Sequence, residues 1–368
     1  MLSREPGLLR PGGRGGGTRV TVAWREIYHR YKALFFVVKI GLSLALFAYV
    51  VAKVSPGNVW AVVRRADPSF LGAAAALFMF SNLIGSWLWC RLLRAQGVQI
   101  PYRKAAAYYF VGLFFNNFLP SNIGGDIARI SEASRYAPNV SSVFSATLMD
   151  RLLGVVSIGL LAVIASVAAL DHVKLYAIYG GVVLVFLLSL GLFLSIFNRA
   201  VLKAFEWPFR VLGLRKVEET IGRLLDDLHG FRNERAALRS AFLATTLVQI
   251  SRIYVHYLVG VSLGVRLAAG YYFLFVPVLA ALVSLPISMN GLGIREGASV
   301  VLFQMAGLTR EQAFTIPFVT YLMSVFISLL GGFIFVTRTP RHAIARKLEA
   351  RREKRAAGDD TTGREEPR

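Results

Sequence analysis

Charged residues are scarce in this sequence, and acidic residues are the scarcest of them. Only 17% of the 368 residues are charged, while 55% are hydrophobic, and a typical soluble domain carries about 25% charged residues. The chain has too few charges to cover a water-facing surface, so most of it is predicted to lie in lipid. The net charge of +21 then indicates basic cytoplasmic loops and anionic lipids nearby rather than nucleic-acid binding.

Cysteine, histidine and recognisable catalytic motifs are also lacking. The single cysteine, Cys90, excludes a disulfide framework, and the five histidines are scattered without metal-ligand spacing. The sequence contains no phosphate-binding loop, no Asp-x-Asp metal motif and no nucleophile elbow. It therefore predicts no cofactor, no bound metal and no catalytic residue, which favours a protein that is not an enzyme.

Eight apolar segments make up most of the chain. They cover residues 34–54, 69–90, 105–120, 143–169, 174–197, 240–264, 271–289 and 312–336. The sequence thus predicts an all-α integral membrane protein with a transmembrane domain at 34–337. Residues 1–33 are basic and rich in Gly, so we expect a disordered cytoplasmic N-terminus, and 338–368 read as a charged cytoplasmic tail.

Two topologies fit these segments. If all eight cross the membrane, the loop 198–239, with nine Lys and Arg, lies outside, against the positive-inside rule. If 105–135 and 271–306 are re-entrant helical hairpins, six full spans remain, and this loop and both termini become cytoplasmic. We favour the second topology, in an inner (plasma) membrane. An apolar stripe also predicts an amphipathic cytoplasmic helix at 215–235, which lies on the bilayer or bundle or else docks a partner.

Each predicted hairpin contains a helix-breaking polar motif, the first from Leu119 to Asp126 and the second from Pro286 to Gly293. Irregular backbone at membrane depth survives only where protein buries it or where it lines a wet cavity. Paired interruptions in corresponding halves of a transporter point to its binding site. The halves 34–197 and 240–336 match imperfectly, so the sequence supports an internal repeat only weakly.

Four charged residues near the first break are expected to meet. Asp126 and Arg129 lie three apart, so on a helix they share a face and can pair. Asp150 and Arg151 are expected to pair with Arg129 and Asp126 across the bundle. An isolated charge at the bilayer centre costs about 2.5–3.5 kcal/mol, so a shared polar cavity accommodates these groups most simply. The alternative is a helix cap, with Asp126 in the first turn of the next helix.

The second break is followed by Arg295 and Glu296, whose partners are not predicted because adjacent residues on a helix point apart. Gln249, Arg252 and His256 share one face of 240–264, where an interfacial position and a role at the site are equally open. The candidate lipid- or substrate-binding residues are Asn116, Asn117, Pro120, Ser121, Asn122, Gly124, Gly125, Asp126, Arg129, Asp150, Arg151, Ser288, Asn290, Gly291, Gly293, Arg295 and Glu296.

These motifs carry a resemblance to a known family. The runs Phe114 to Asp126, Asp150-Arg151-Leu152 and Leu285 to Gly297 resemble signatures of the lysylphosphatidylglycerol synthase transmembrane family, and the resemblance covers about residues 35–337. In its best-known members this region is a flippase for aminoacylated phosphatidylglycerol, fused to a cytoplasmic aminoacyltransferase domain. The resemblance implies a flippase-like protein. We expect the aminoacyltransferase domain to be absent, since 32 residues follow the last span.

Functions of different classes remain open. A flippase would move an anionic or glycosylated lipid between leaflets without ATP, with Arg129, Arg151 and Arg295 contacting phosphate. Carboxylates would hold these arginines when no lipid is bound, and Arg129 and Arg295 would matter more to lipid movement than to folding. The partners would be a membrane phospholipid or lipid-linked substrate and a lipid-modifying enzyme. The alternatives are a membrane transferase or accessory subunit of a glycolipid, hopanoid or aminoacyl-lipid pathway, and a scaffold.

Overall fold

The computed structural model describes residues 48–49, 56–119, 124–169, 176–198, 215–284 and 291–338. This part of the chain is helical and contains no strand, so the predicted all-α fold is confirmed. The helices are α1 (Pro56–Arg64), α2 (Pro68–Ala95), α3 (Tyr102–Phe118), α4 (Gly124–Ala133), α5 (Val140–Ala169), α6 (Tyr176–Ser195), α7 (Arg215–Gly230), α8 (Arg235–Ser262), α9 (Ala269–Ser284), α10 (Ile294–Met305) and α11 (Arg310–Arg338).

Four of these helices, α2, α5, α8 and α11, are long and apolar enough to cross a membrane. Helices α2 and α8 have 28 residues each, about 42 Å at 1.5 Å per residue, which exceeds a hydrocarbon core of about 30 Å. Parts of α6 and α9 are apolar but shorter. The predicted segment 34–54 lies almost wholly outside the described residues, so a count of eight segments is not established.

Helices α3 and α4 form a hairpin around the first polar break. Lys104 near the start of α3 donates from Nζ to the hydroxyl of Tyr136, three residues beyond the end of α4. The two outer ends of this hairpin are therefore at the same end of the bundle. Helix α4 has 10 residues, about 15 Å, which is too short to cross the hydrocarbon core.

Helices α9 and α10 form a second hairpin of the same kind. The rings of Tyr272 and Phe275 in α9 each lie 5.3 Å from the ring of Phe303 near the end of α10. Helix α10 has 12 residues, about 18 Å. In each of the two segments predicted as hairpins, the two described helices thus pack on each other with their outer ends together.

The order span, hairpin, span occurs twice, in α2 to α5 and in α8 to α11. The first spans of the two halves, α2 and α8, pack against each other. The hairpin helix α3 packs on α11 of the second half, and the hairpin helix α9 packs on α5 of the first half. The internal repeat is clearer in this packing than in the sequence, because α6 and α7 lie between the halves.

A proline inside α11 is accommodated by a neighbouring hairpin. Pro317 cannot donate to the carbonyl of Ala313 four residues earlier, which would leave that oxygen without its helical partner. Ser299 Oγ of α10 donates to this carbonyl at 2.6 Å, and Ser299 is fully buried. This contact replaces the missing backbone hydrogen bond, as membrane helices that contain proline require.

Helix α7 lies on the bundle. This is one of the positions that the sequence left open for the predicted amphipathic helix. Leu228 and Phe231 are buried in a core that includes residues of α2 and α5. Gln96 Nε2, just after α2, donates to the Asp227 carbonyl at 2.8 Å, and His229 Nδ1 donates to the Ile196 carbonyl at 3.0 Å. The helix ends at Gly230, five residues before the predicted boundary.

Candidate functional site

A cavity of about 950 Å³ lies among the four spans and is lined by both hairpins. Most of its wall is apolar. Its charged, histidine and amide lining residues are Asn116, Asn117, Asp126, Arg129, Asp150, Arg151, Gln249, Arg252, His256 and Arg295. Asp126, at the end of the first polar break, and Arg295, just after the second, thus line one chamber, which is an arrangement that makes charged groups tolerable inside an apolar bundle.

The polar lining lies inside the spans and away from their ends. Asp150 is ten residues after Val140 at the start of α5, and Arg252 is ten residues before Ser262 at the end of α8. Each interval corresponds to about 15 Å, about a third of the length of its helix.

An ion-pair network joins the first hairpin to α5. Arg129 Nε and Nη2 lie 3.0 Å from Asp126 Oδ1, and Arg129 Nη2 lies 3.0 Å from Asp150 Oδ2. Arg151 Nε and Nη2 donate to the two carboxylate oxygens of Asp126, each at 3.0 Å. The predicted pairing of Asp126 with Arg129, and of both with Asp150 and Arg151 across the bundle, is confirmed.

The two arginines of this network have different surroundings. Arg129 is only 4% exposed, and its Cζ lies 5.0 Å from the Trp89 ring centre and 5.6 Å from that of Tyr109. Its guanidinium is thus enclosed by two carboxylates and two rings. The side chain of Arg151 is 51% exposed. The guanidinium of Arg151 is therefore the more accessible of the two, while that of Arg129 is enclosed.

The second hairpin carries its own ion pair. Arg295 Nε donates to Glu296 Oε1 at 3.0 Å, and Glu296 Oε2 accepts the Gly293 N–H at 2.8 Å. Our expectation that adjacent residues point apart fails here, because the Glu296 side chain bends back to cap its own helix. Gly293 has φ of +81°, a conformation that favours glycine. The Cζ of Arg295 lies 4.1 Å from the Tyr321 ring centre.

Helix α8 presents a third polar surface to the cavity. Gln249 Nε2 donates to the Gly154 carbonyl at 3.2 Å, which ties α8 to α5. His256 Nδ1 lies 2.9 Å from the Arg252 carbonyl, and since a carbonyl only accepts, Nδ1 carries a proton. Arg252 Nε is buried and has no hydrogen-bond partner among the described residues.

The charges along the cavity nearly balance. The carboxylates of Asp126, Asp150 and Glu296 are matched by three arginines bound to them. Arg252 forms no ion pair with any described residue, so these three carboxylates and four arginines together carry one excess positive charge. No three metal-ligating side chains come together in the described ranges.

A family model described as the lysylphosphatidylglycerol synthase transmembrane region matches residues 36–332. The chain belongs to this family. A UPF0104 membrane protein of Pyrococcus horikoshii is 25% identical over 82% of the chain and 96% of the relative. A UPF0104 membrane protein of Methanothermobacter thermautotrophicus is 24% identical over 79% of the chain and 91% of the relative. The glycosyltransferase AglD of Haloferax volcanii is 25% identical over 86% of the chain but only 57% of that protein. No solved structure matches the chain.

The predicted site residues of this family member fall into three groups. Those that line the cavity are Asn116, Asn117, Asp126, Arg129, Asp150, Arg151 and Arg295. Those that shape the hairpin turns behind it are Gly124, Gly125, Gly291, Gly293 and Glu296. Those that lie outside the described residues are Pro120, Ser121, Asn122, Ser288 and Asn290.

The two asparagines also hold helices together. Asn116 Oδ1 accepts the Gly125 N–H at 2.9 Å, so α3 caps the first turn of α4. Asn117 Nδ2 lies 3.4 Å from both the carbonyl and the Oγ of Ser324 in α11. A Cβ on Gly125 would lie 1.9 Å from the Gly112 carbonyl oxygen, so only glycine fits this crossing of α3 and α4.

Sequence reasoning did not identify the aromatic residues around the arginines, Trp89, Tyr109 and Tyr321. Aromatic side chains are common in membrane helices, and their spacing carried no signal for these contacts. Arg252 was noted without a preference between an interfacial position and a role at the site. The structure places Arg252 in the cavity lining, and the signal in the sequence was the cost of an arginine inside an apolar helix without a carboxylate nearby in the chain.

Proposed function

We propose that the protein is a lipid transporter that binds a lipid headgroup in the central cavity and moves it between the two membrane leaflets. The observation that carries this proposal is the chamber of about 950 Å³ among the apolar spans, whose wall is mostly apolar and contains four guanidinium groups. Acyl chains need apolar surroundings, and guanidinium groups bind phosphate with two parallel hydrogen bonds.

The repeated order of elements supports this mechanism. Transporters built from two halves place the substrate site near the bilayer midplane between them. In the topology we propose, α3–α4 enters from the cytoplasmic side and α9–α10 from the opposite side, and the loop 198–239 and both termini are cytoplasmic. The two hairpins then approach one chamber from opposite leaflets, which is compatible with alternating access by movement of one half against the other.

The contacts divide the arginines by role. We assign phosphate contact to Arg151 and Arg295, each held by one carboxylate residue until an anion competes for it. Arg129 is a positioning residue in this scheme, because its guanidinium already binds Asp126 and Asp150 and is almost fully buried. This assignment differs from the expectation that Arg129 contacts phosphate.

The test is transfer of fluorescent phosphatidylglycerol between leaflets of proteoliposomes that contain the purified protein. We expect transfer above protein-free vesicles, and a loss with Arg151→Gln. Arg310→Gln, outside the cavity lining, is the matched control. No transfer by the unchanged protein would refute the proposal.

A second function is favoured by one observation, the similarity to a relative named a glycosyltransferase. Under that alternative the protein acts as a transferase or accessory subunit in a glycolipid pathway. Mass spectrometry of the same lipids after incubation with a sugar donor distinguishes the two functions, since a transferase changes the lipid mass and a transporter does not.

A further inference from the structure

Arg252 differs from the other arginines of the cavity. Arg129, Arg151 and Arg295 each bind a carboxylate, whereas Arg252 forms no ion pair with a described residue. Its Nε is buried and lacks a hydrogen-bond partner in the described part of the chain. The residue lines the cavity from the interior of α8, ten residues before the end of the helix. An anionic ligand in the cavity would complete the hydrogen bonds of a guanidinium placed there.

His256 stands one helical turn from Arg252, on the same face of α8 and in the same cavity wall. Its Nδ1 proton is donated to the Arg252 carbonyl. In the neutral ring the other nitrogen, Nε2, then carries a lone pair and accepts hydrogen bonds. An anion site and a hydrogen-bond acceptor are thus adjacent on one helix.

This pair of groups would complement a headgroup that has a hydroxyl close to its phosphate. Arg252 supplies donors for a phosphate oxygen, and His256 supplies an acceptor for an O–H close to that phosphate. Glycerol, inositol and sugar headgroups contain such hydroxyls, whereas choline has no hydrogen-bond donor. A site that hydrogen-bonds a hydroxyl discriminates against an analogue that lacks it.

We propose that Arg252 and His256 form a headgroup subsite for lipids whose phosphate bears a polyol or sugar. The proposal rests on the proposed lipid transport and names its substrate class. It also makes Arg252, rather than an arginine already bound by a carboxylate, the first partner of the incoming phosphate.

The experiment measures transfer of three fluorescent lipids in proteoliposomes. Phosphatidylglycerol has the charge and the hydroxyls, phosphatidylmethanol has the charge alone, and phosphatidylcholine has neither a net charge nor a donor. We expect the unchanged protein to transfer them in that order. Arg252→Gln should lower the transfer of both anionic lipids about tenfold, equivalent to about 1.4 kcal/mol, and leave phosphatidylcholine unchanged.

His256→Phe should act differently from Arg252→Gln. We expect phosphatidylglycerol transfer to fall to the rate of phosphatidylmethanol, with phosphatidylmethanol itself unchanged. Arg252→Lys keeps the charge but loses the guanidinium fork, so its transfer of anionic lipids should lie between those of the unchanged protein and Arg252→Gln.

Arg266→Gln is the matched control, because Arg266 is exposed between α8 and α9. If Arg252→Gln melts at a lower temperature than the unchanged protein, Arg252→Lys replaces it in the comparison.

The outcomes separate this inference from the proposed function. If the unchanged protein transfers lipid and Arg252→Gln keeps the same preference for anionic lipids, the subsite is wrong and lipid transport stands. If the unchanged protein transfers no lipid, lipid transport is wrong. The subsite is then judged by binding of dioctanoyl phosphatidylglycerol to the detergent-solubilised protein, where equal affinity of the Arg252→Gln variant overturns it.

Discussion

Arg129→Gln should destabilise the fold far more than Arg151→Gln. Arg129 is 4% exposed, and its removal leaves Asp150 without its ion-pair partner at a side-chain exposure of 16%. Breaking a buried ion pair by removing one member costs about 3–5 kcal/mol. Arg151 is 51% exposed in its side chain, and Asp126 keeps Arg129 when Arg151 is lost. Arg151→Gln therefore leaves no carboxylate without a partner, so most of the cost of a broken buried pair is specific to Arg129→Gln and the two variants should differ by about 3 kcal/mol.

Equilibrium unfolding of the detergent-solubilised protein measures this difference. The double variant Arg129→Gln/Asp150→Asn also removes the stranded carboxylate charge, so it should recover part of the lost stability. Lipid transfer gives the complementary result, since Arg151→Gln should lose transfer while it keeps its stability. If both single variants unfold alike, Arg129 is not the positioning residue that its contacts indicate.

Three further outcomes test separate parts of the structure. Gly125→Ala should lower the melting temperature because the added methyl group would clash with the backbone of α3. Gly180→Ala, with no atom within 4 Å of the added Cβ, should leave the melting temperature unchanged. Equal melting temperatures of the two variants would contradict the close crossing of α3 and α4. Ser299→Ala should lower the free energy of unfolding by about 1–3 kcal/mol, because it leaves the buried carbonyl of Ala313 unpaired. An unchanged free energy of unfolding would show that Ser299 does not stabilise α11 at its proline. A cysteine at Asn233, in a Cys90→Ser background, should resist an impermeant thiol reagent in intact cells, and ready labelling would favour eight full spans.

Much of the site was predictable because charge inside lipid restricts the solutions. The three-residue spacing of Asp126 and Arg129 predicted their pairing, and the cost of isolated charges predicted that Asp150 and Arg151 join them. The hairpins followed from helix-breaking residues combined with the charge of the loop 198–239. In each case a local pattern and an energetic penalty pointed to the same answer.

The rest depends on tertiary contacts that no local pattern encodes. The bend of Glu296 onto the Gly293 N–H decides that Arg295 pairs with its own neighbour. The enclosure of Arg129 by Trp89 and Tyr109 depends on how α2, α3 and α4 pack. That packing gives Arg129 a structural role, although its sequence context resembles that of Arg151.

The balanced network of the first hairpin has an electrical consequence. Moving one elementary charge through a membrane potential of 100 mV takes about 2.3 kcal/mol. Asp126 and Asp150 offset Arg129 and Arg151, so a displacement of this cluster as a unit transfers no net charge across the field. The membrane potential therefore gives little bias to the position of the hairpin itself, and voltage would act mainly on the charge of a bound headgroup.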